Sequence, residues 1–445
     1  MQLRTNPVGP PPRTAGVSSE AGSGRSERYP WLVFVLAFGL LLADYMSRQV
    51  LSAVFPLLKS QWGLSDSKLA SLGSVVALMV GILTLPLSLL ADRWGRVRSL
   101  VLMAVLWSVA TVMCAAASDY SQMLGARFLV GVGEAAYGSV GIAVVLGVFA
   151  ARRHATLSGA FMAGGSFGSV LGVWFGGLVA VHLGWRWSFA VMAVAGLALA
   201  LLFRLLVSEG KLARQAVSSP GVADSLAPKT FRAPVSTLFT NPAVWCAYIG
   251  SGTQLFTAAV LLSWMPSFFN RYYHLAPDNA AGRAALVVLL VGAGMVCCGI
   301  VTDRIGRVHT EYKWRTAIAF CLISMLCLGI GFSLNPGGPQ LILIGIGAWF
   351  SGGSSGPAAA MVADLTHPSV RASAMGTLTL VNSLLGLALG PFVVGILADH
   401  VGLSAALRLA PLSCLVAIAA LAAGSRLYPA GLRKLASLEP YRTWQ

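Results

Sequence analysis

The strongest constraint in this chain is a succession of long apolar runs separated by short polar loops. Candidate runs lie at 31–58, 67–90, 99–117, 121–149, 156–181, 187–207, 242–270, 284–302, 314–334, 340–363, 371–398 and 403–424. Each is about long enough to cross a bilayer core, which takes ~20 apolar residues. Only 10% of the 445 residues are charged, against 56% hydrophobic, whereas soluble domains carry roughly 25% charged residues. In lipid every backbone N–H and C=O must find a partner within the protein, so the runs are expected to be helices. The expected fold is therefore an all-α membrane protein with twelve transmembrane helices.

A formal charge of +16 invites a nucleic-acid reading. The basic residues, however, sit in the loops rather than on one face, and no nucleic-acid partner is expected. With an inside N-terminus, 22 of the 31 Lys and Arg fall on the cytoplasmic side and 6 on the other. That bias places both termini in the cytoplasm, in the plasma membrane (the inner membrane of a bacterium). Residues 1–28 read as a disordered cytoplasmic tail, rich in Pro, Gly, Ser and Arg. Residues 208–240, with Pro220, Pro228 and Pro234, read as a cytoplasmic linker between bundles at 29–207 and 241–424, and 425–445 as a cytoplasmic tail.

The two bundles look duplicated. Asp92-Arg93-Trp94-Gly95-Arg96 recurs as Asp303-Arg304-Ile305-Gly306-Arg307, 211 residues later. His154-Ala-Thr-Leu-Ser-Gly159 enters the fifth run much as Arg371-Ala-Ser-Ala-Met-Gly376 enters the eleventh, 217 residues later. Two anchors at nearly equal offsets imply a repeated six-helix unit, an arrangement that puts a solute site where the repeats meet.

The first loop, Ser88-Leu-Leu-Ala-Asp92-Arg-Trp-Gly-Arg96, resembles the signature loop of the major facilitator superfamily, normally Gly-x-Leu-Ala-Asp-Arg-x-Gly-Arg. The second copy keeps the leading glycine as Gly299, where the first has Ser88. The resemblance implies the major facilitator fold, two pseudo-symmetric six-helix bundles working by alternating access. It also implies that Asp92, Arg93, Gly95 and Arg96, with Asp303, Arg304, Gly306 and Arg307, form cytoplasmic gate loops. These would latch that side in the outward-facing state.

Charges inside a membrane are costly and point to function. Asp44 and Arg48 lie one helical turn apart in the first run, and Arg127 and Glu134 two turns apart in the fourth. Together they sum to zero charge, as a buried network should. The second half has no comparable mid-run charge. Its cavity candidates are neutral: Tyr248, Gln254, Trp264, Trp349 and Asn382. The asymmetry suits a solute with a charged end against the first half and an apolar part against the second.

Two segments narrow the resemblance. Arg127-Phe-Leu-Val-Gly-Val-Gly-Glu134-Ala-Ala-Tyr137, and Asp44-Tyr-Met-Ser-Arg48 through Pro56 followed by Gly63-Leu-Ser-Asp66, are similar to the spinster-like branch. That branch implies lysolipid-like solutes and, in some members, proton coupling, and adds Tyr137 to the cavity. It usually has Asp directly before the first-run Arg, where Ser47 stands here; Asp44 lies one turn earlier. Burial favours the neutral form of a carboxyl and a guanidinium the charged form, so Asp44 or Glu134 would suit a coupling proton carrier.

Gly164, Gly168, Gly172 and Gly176, and Gly386, Gly390-Pro391 and Gly395, form stripes that permit close helix contact. The seven cysteines fall inside apolar runs and the six histidines near run ends or in loops. No metal, cofactor or catalytic residue is expected, and no His–Asp or Ser–His constellation supports an embedded hydrolase. The expected activity is secondary transport of a small amphipathic or anionic solute, lysolipid-like in one version, coupled to a proton or ion. The chain would act as a monomer surrounded by membrane lipids. A multidrug-type exporter and a transport-silent sensor are the rival functions.

Overall fold

A computed structural model describes residues 28–149, 153–210, 212, 240–306, 311–353, 355–367 and 370–436. Arg307, the tail at 1–27, residues 211 and 213–239 of the linker, and the last residues 437–445 lie outside them.

Among the described residues, eleven helical segments are long and apolar enough to cross a membrane. Spans one to three are Arg28–Trp62, Asp66–Trp94 and Arg96–Ala116. Span four is broken, Tyr120–Glu134 and then Tyr137–Leu146. Spans five to nine are His154–Leu183, Trp185–Leu206, Pro242–Tyr272, Pro277–Gly306 and Tyr312–Gly331. Span ten also breaks, Gly338–Ser351 and Ser355–Asp364, so neither piece alone is long enough to cross. Span eleven runs Arg371–Val381, a π-helical stretch Asn382–Ala388, then Leu389–Val401. Span twelve joins Leu403–Leu409 through a 3₁₀ turn to Ser413–Ala436. Its helix continues beyond 424 into the segment read as a tail.

Exposed side chains such as Leu205, Val194, Leu286 and Ile342 cover the outside of the bundle. An apolar exterior of this kind needs hydrocarbon rather than water, and the chain is a multi-pass membrane protein. The glycine stripe of span five lies along span one. A Cβ on Gly168 would fall 2.6 Å from the Leu42 carbonyl oxygen, and one on Gly172 2.5 Å from that of Met46. Only hydrogen fits there, so the two backbones touch along Leu42, Met46 and Val50, with the Phe38 ring against Gly164. Two residues on from Leu42 and Met46, about 200° around the helix, Asp44 and Arg48 are carried away from span five.

The halves meet along two main seams, span five against span eight and span two against span eleven, and also where span one meets span seven. On the second seam a Cβ on Gly376 would lie 3.8 Å from Leu85, one on Gly81 2.8 Å from Ser383, and one on Gly395 2.8 Å from the Asp66 carbonyl. The seam is therefore loose toward Asp92 and equally close at Gly81 and toward Asp66.

Candidate functional site

Span four owes its place to two glycines. Gly131 packs against Val76 and Met79 of span two, and Gly133 against the backbone of Trp107 in span three. The helix then ends at Glu134, whose side chain turns toward span one. Arg48 donates to one Glu134 oxygen through both Nη2, at 2.7 Å, and Nε, at 3.0 Å. The guanidinium also lies over the Tyr45 ring, 5.3 Å from its centroid. Asp44, 3% exposed, is a close neighbour of Glu134. One oxygen of each carboxyl, Oδ1 of Asp44 and Oε1 of Glu134, has no donor.

Arg127 is fully buried. Its Nε donates to the Leu72 carbonyl at 3.2 Å, while Nη1 and Nη2 have no hydrogen-bond partner. The Cys114 thiol lies beside it. A guanidinium offers five donors in a fixed fork, and here the two-nitrogen end is vacant. Arg127 is among the residues around a cavity of about 70 Å³ between the halves, room for a few waters. Arg48, Gln49 and Ser52 line it from the first half, Ser263, Leu262 and Pro391 from the second.

Three of the four intramembrane charges thus form one cluster, with Arg127 at the neighbouring cavity. Four of the other sequence candidates bond to backbone carbonyls of neighbouring helices. Tyr137 donates its hydroxyl to the Ala37 carbonyl at 3.0 Å, and Tyr248 to that of Ala374 at 3.1 Å. Gln254 donates to the Phe350 carbonyl at 3.0 Å and Trp264 to that of Pro391 at 3.1 Å. The Trp264 ring also meets Phe55 of the first half at 5.6 Å. Trp349 is half-buried with its backbone against Gly294, and Asn382 opens the π-helical stretch with Oδ1 unpartnered. Gln49, Ser52 and Ser263 are cavity residues that the sequence reading missed; their one signal was polarity inside an apolar span.

The duplicated loops differ in build. Gly95 takes φ +101°, and a Cβ there would lie 2.7 Å from Oε1 of Glu209. The same oxygen accepts the Val97 N–H at 2.7 Å, capping span three. Arg96 pairs with Asp92 at 3.0 Å, both well exposed, and Arg93 is exposed too. In the second loop Asp303 and Arg304 are exposed, while Gly306 stays helical beside Lys313, which pairs with Asp364 at 2.6 Å. A Gly-x-Ser-x-Gly pattern at Gly164–Gly168 lies within a straight helix packed on span one, not on the strand-to-helix turn a hydrolase needs. Among the described residues no group of His, Cys, Asp and Glu is placed to hold a metal ion.

Residues 37–352 match the Major Facilitator Superfamily, and the chain belongs to that family. It is 28% identical over 419 residues to a probable 4-methylmuconolactone transporter of Cupriavidus pinatubonensis, covering 92% of each chain. It is 27% identical over 286 residues to a probable L-galactonate transporter of Escherichia coli, covering 63% of each, so this match spans less than two thirds of that relative. The fold is that of a bacterial homologue of the human lysosomal transporter Spinster, in an inward-facing and occupied conformation. Against that structure the TM-score is 0.75 at 19% identity, covering 93% of this chain and 99% of that one. The spinster-like resemblance of spans one and four is thus met by a spinster-like fold.

Proposed function

We propose that the chain is a secondary transporter that carries a small organic anion by alternating access, with a proton as the coupling ion. The observation that carries this reading is the vacant fork of Arg127, fully buried at a cavity between the two halves. A carboxylate satisfies both free nitrogens at once, and such bidentate pairs are among the strongest hydrogen bonds proteins make. The names of the two relatives, a galactonate and a muconolactone transporter, agree with that chemistry. Gln49, Ser52 and Ser263 would take the hydroxyl or ring oxygens of such a solute.

Charge balance gives the coupling. Asp44, Arg48, Arg127 and Glu134 sum to zero, so an arriving anion leaves one negative charge in excess among apolar walls. A proton shared by Asp44 and Glu134, whose unpartnered oxygens can hold it, restores neutrality. Solute and proton then travel together. In this scheme both termini are cytoplasmic and the Asp92 and Asp303 loops close that side in the opposite state.

A lysolipid-like solute is the second reading. It is favoured by an apolar crevice of about 440 Å³ between spans two and eleven, lined by Leu78, Leu384 and Phe392 among others. Counterflow in proteoliposomes separates the two, using labelled galactonate in one arm and lysophosphatidylcholine in the other. The small-anion reading expects galactonate exchange that falls about 100-fold in Arg127→Ala, the scale of a lost buried charge contact. Exchange of galactonate at full rate in that variant, or of the lysolipid alone, overturns it.

A further inference from the structure

The Gly63-Leu-Ser-Asp66 segment marks a branch resemblance in the sequence but has no part in the solute site. It lies at the end of the bundle opposite the Asp92 loop, where the halves pack closely at Gly395. Gly63, at φ +62°, turns the chain out of span one. Ser65 then caps span two, its hydroxyl accepting the Lys68 N–H at 3.2 Å. Asp66 becomes the first residue of the helix, with its own N–H and that of Ser67 free of intrahelical partners.

Both halves contribute a carboxylate here, and each carboxylate reaches into the other half. Asp66, 2% exposed, accepts two hydrogen bonds from Arg271 in the last turn of span seven, at 2.8 and 2.6 Å. In return Asp399, in the last turn of span eleven, accepts the Asp66 N–H at 2.6 Å and the Ser67 N–H at 2.9 Å. The second contact sets a negative charge on the positive end of the span-two dipole. Lys59 also reaches Asp66, at 2.6 Å, but from within the same half. Tyr272, next to Arg271, accepts the Ser404 N–H at 2.8 Å, so spans seven and twelve are tied together behind the contact. At the Asp92 end, by contrast, the ion pairs Arg96–Asp92 and Lys313–Asp364 each stay within one half.

We propose that Asp66, Arg271 and Asp399 form a reciprocal ionic clamp that holds the non-cytoplasmic gate shut and must be broken each time the site is opened to that side. The assignment of sides comes from the distribution of basic residues, and the clamp rests on the alternating-access reading. Its test does not depend on the solute. Arg271→Gln removes one strand of the clamp and Asp399→Asn the other, whereas Lys59→Gln removes a partner of Asp66 that does not cross between halves.

The measurement is the distance between spin labels at Ser60→Cys and His400→Cys, in reconstituted protein whose seven native cysteines have been replaced. Arg271→Gln and Asp399→Asn are each expected to raise the ratio of long to short distances about tenfold, within the usual range of coupling between states. Lys59→Gln is expected to leave the distribution as in the parent. The clamp is overturned if either cross-half variant keeps the parental distribution, or if Lys59→Gln lengthens it as much as they do. Should Arg271→Gln fail to fold, judged by its melting curve, Asp399→Asn decides alone. Galactonate counterflow measured beside the distances shows separately whether the solute assignment has failed.

Discussion

Spans four and ten break at equivalent points of the repeat and do different things there. In span four the last residue before the break is Glu134, ion-paired to Arg48. In span ten it is Ser351, 217 residues later, whose hydroxyl returns to its own helix at the Ala348 carbonyl, 2.8 Å away. The offset equals that between the entries of spans five and eleven. The break therefore belongs to the backbone of the repeat, and the charge is an addition made in one half only. A fold that already interrupts its helix beside the central cavity supplies a place where a carboxyl can be held.

The largest effect is expected from putting the charge where it is missing. Ser351 is fully buried, and Ser351→Glu would place a carboxylate with no counter-ion in the second half. A loss of about 3–5 kcal/mol is expected, the scale of an uncompensated buried charge, seen as a steep fall in melting temperature or in yield of folded protein. If the variant melts like the parent, the second half is not the dry, neutral surface described.

Glu134→Gln tests the other side. The carboxamide keeps the shape and one acceptor for Arg48 but loses the charge, and about 1–2 kcal/mol of the contact with it. Transport is expected to fall roughly tenfold on that scale and its dependence on pH to flatten. A pH profile parallel to the parent's assigns the coupling elsewhere. The smallest effect is expected from Trp264→Phe, which removes the bond to the Pro391 carbonyl at a cost of about 1 kcal/mol in stability. Because Trp264 faces helix packing, the apparent affinity for solute should not move. A shift in affinity would return Trp264 to the binding surface.

The spans were legible because lipid leaves a backbone so few options. The charged cluster was legible because a charge in an apolar run costs too much to be kept without a use. The break in span four was not. Ala135 and Ala136 are good helix formers, and nothing local marks them as an interruption. In the neutral half the sequence says less, for a related reason. Span seven is apolar around most of its circumference, so spacing does not tell which face meets the cavity; Tyr248, Gln254 and Trp264 instead bond to carbonyls of neighbouring spans. Ser52 was invisible because a serine in a membrane helix can satisfy itself on its own backbone, as this one does on the Gln49 carbonyl at 2.8 Å.

The π-helical stretch of span eleven has a consequence for alignment. A wide turn carries one residue more than a straight α-helix would use, and each residue is worth about 100° of rotation. Everything after Ala388 is therefore turned, as on a swivel, relative to everything before Asn382. That turn sets the azimuth at which Gly395 lies against the Asp66 backbone and Asp399 meets the end of span two. Deleting a single residue between 382 and 388 would leave composition and apolarity almost untouched. It would nonetheless aim the whole outer third of the helix at the wrong neighbour, and the two halves would lose their shared edge.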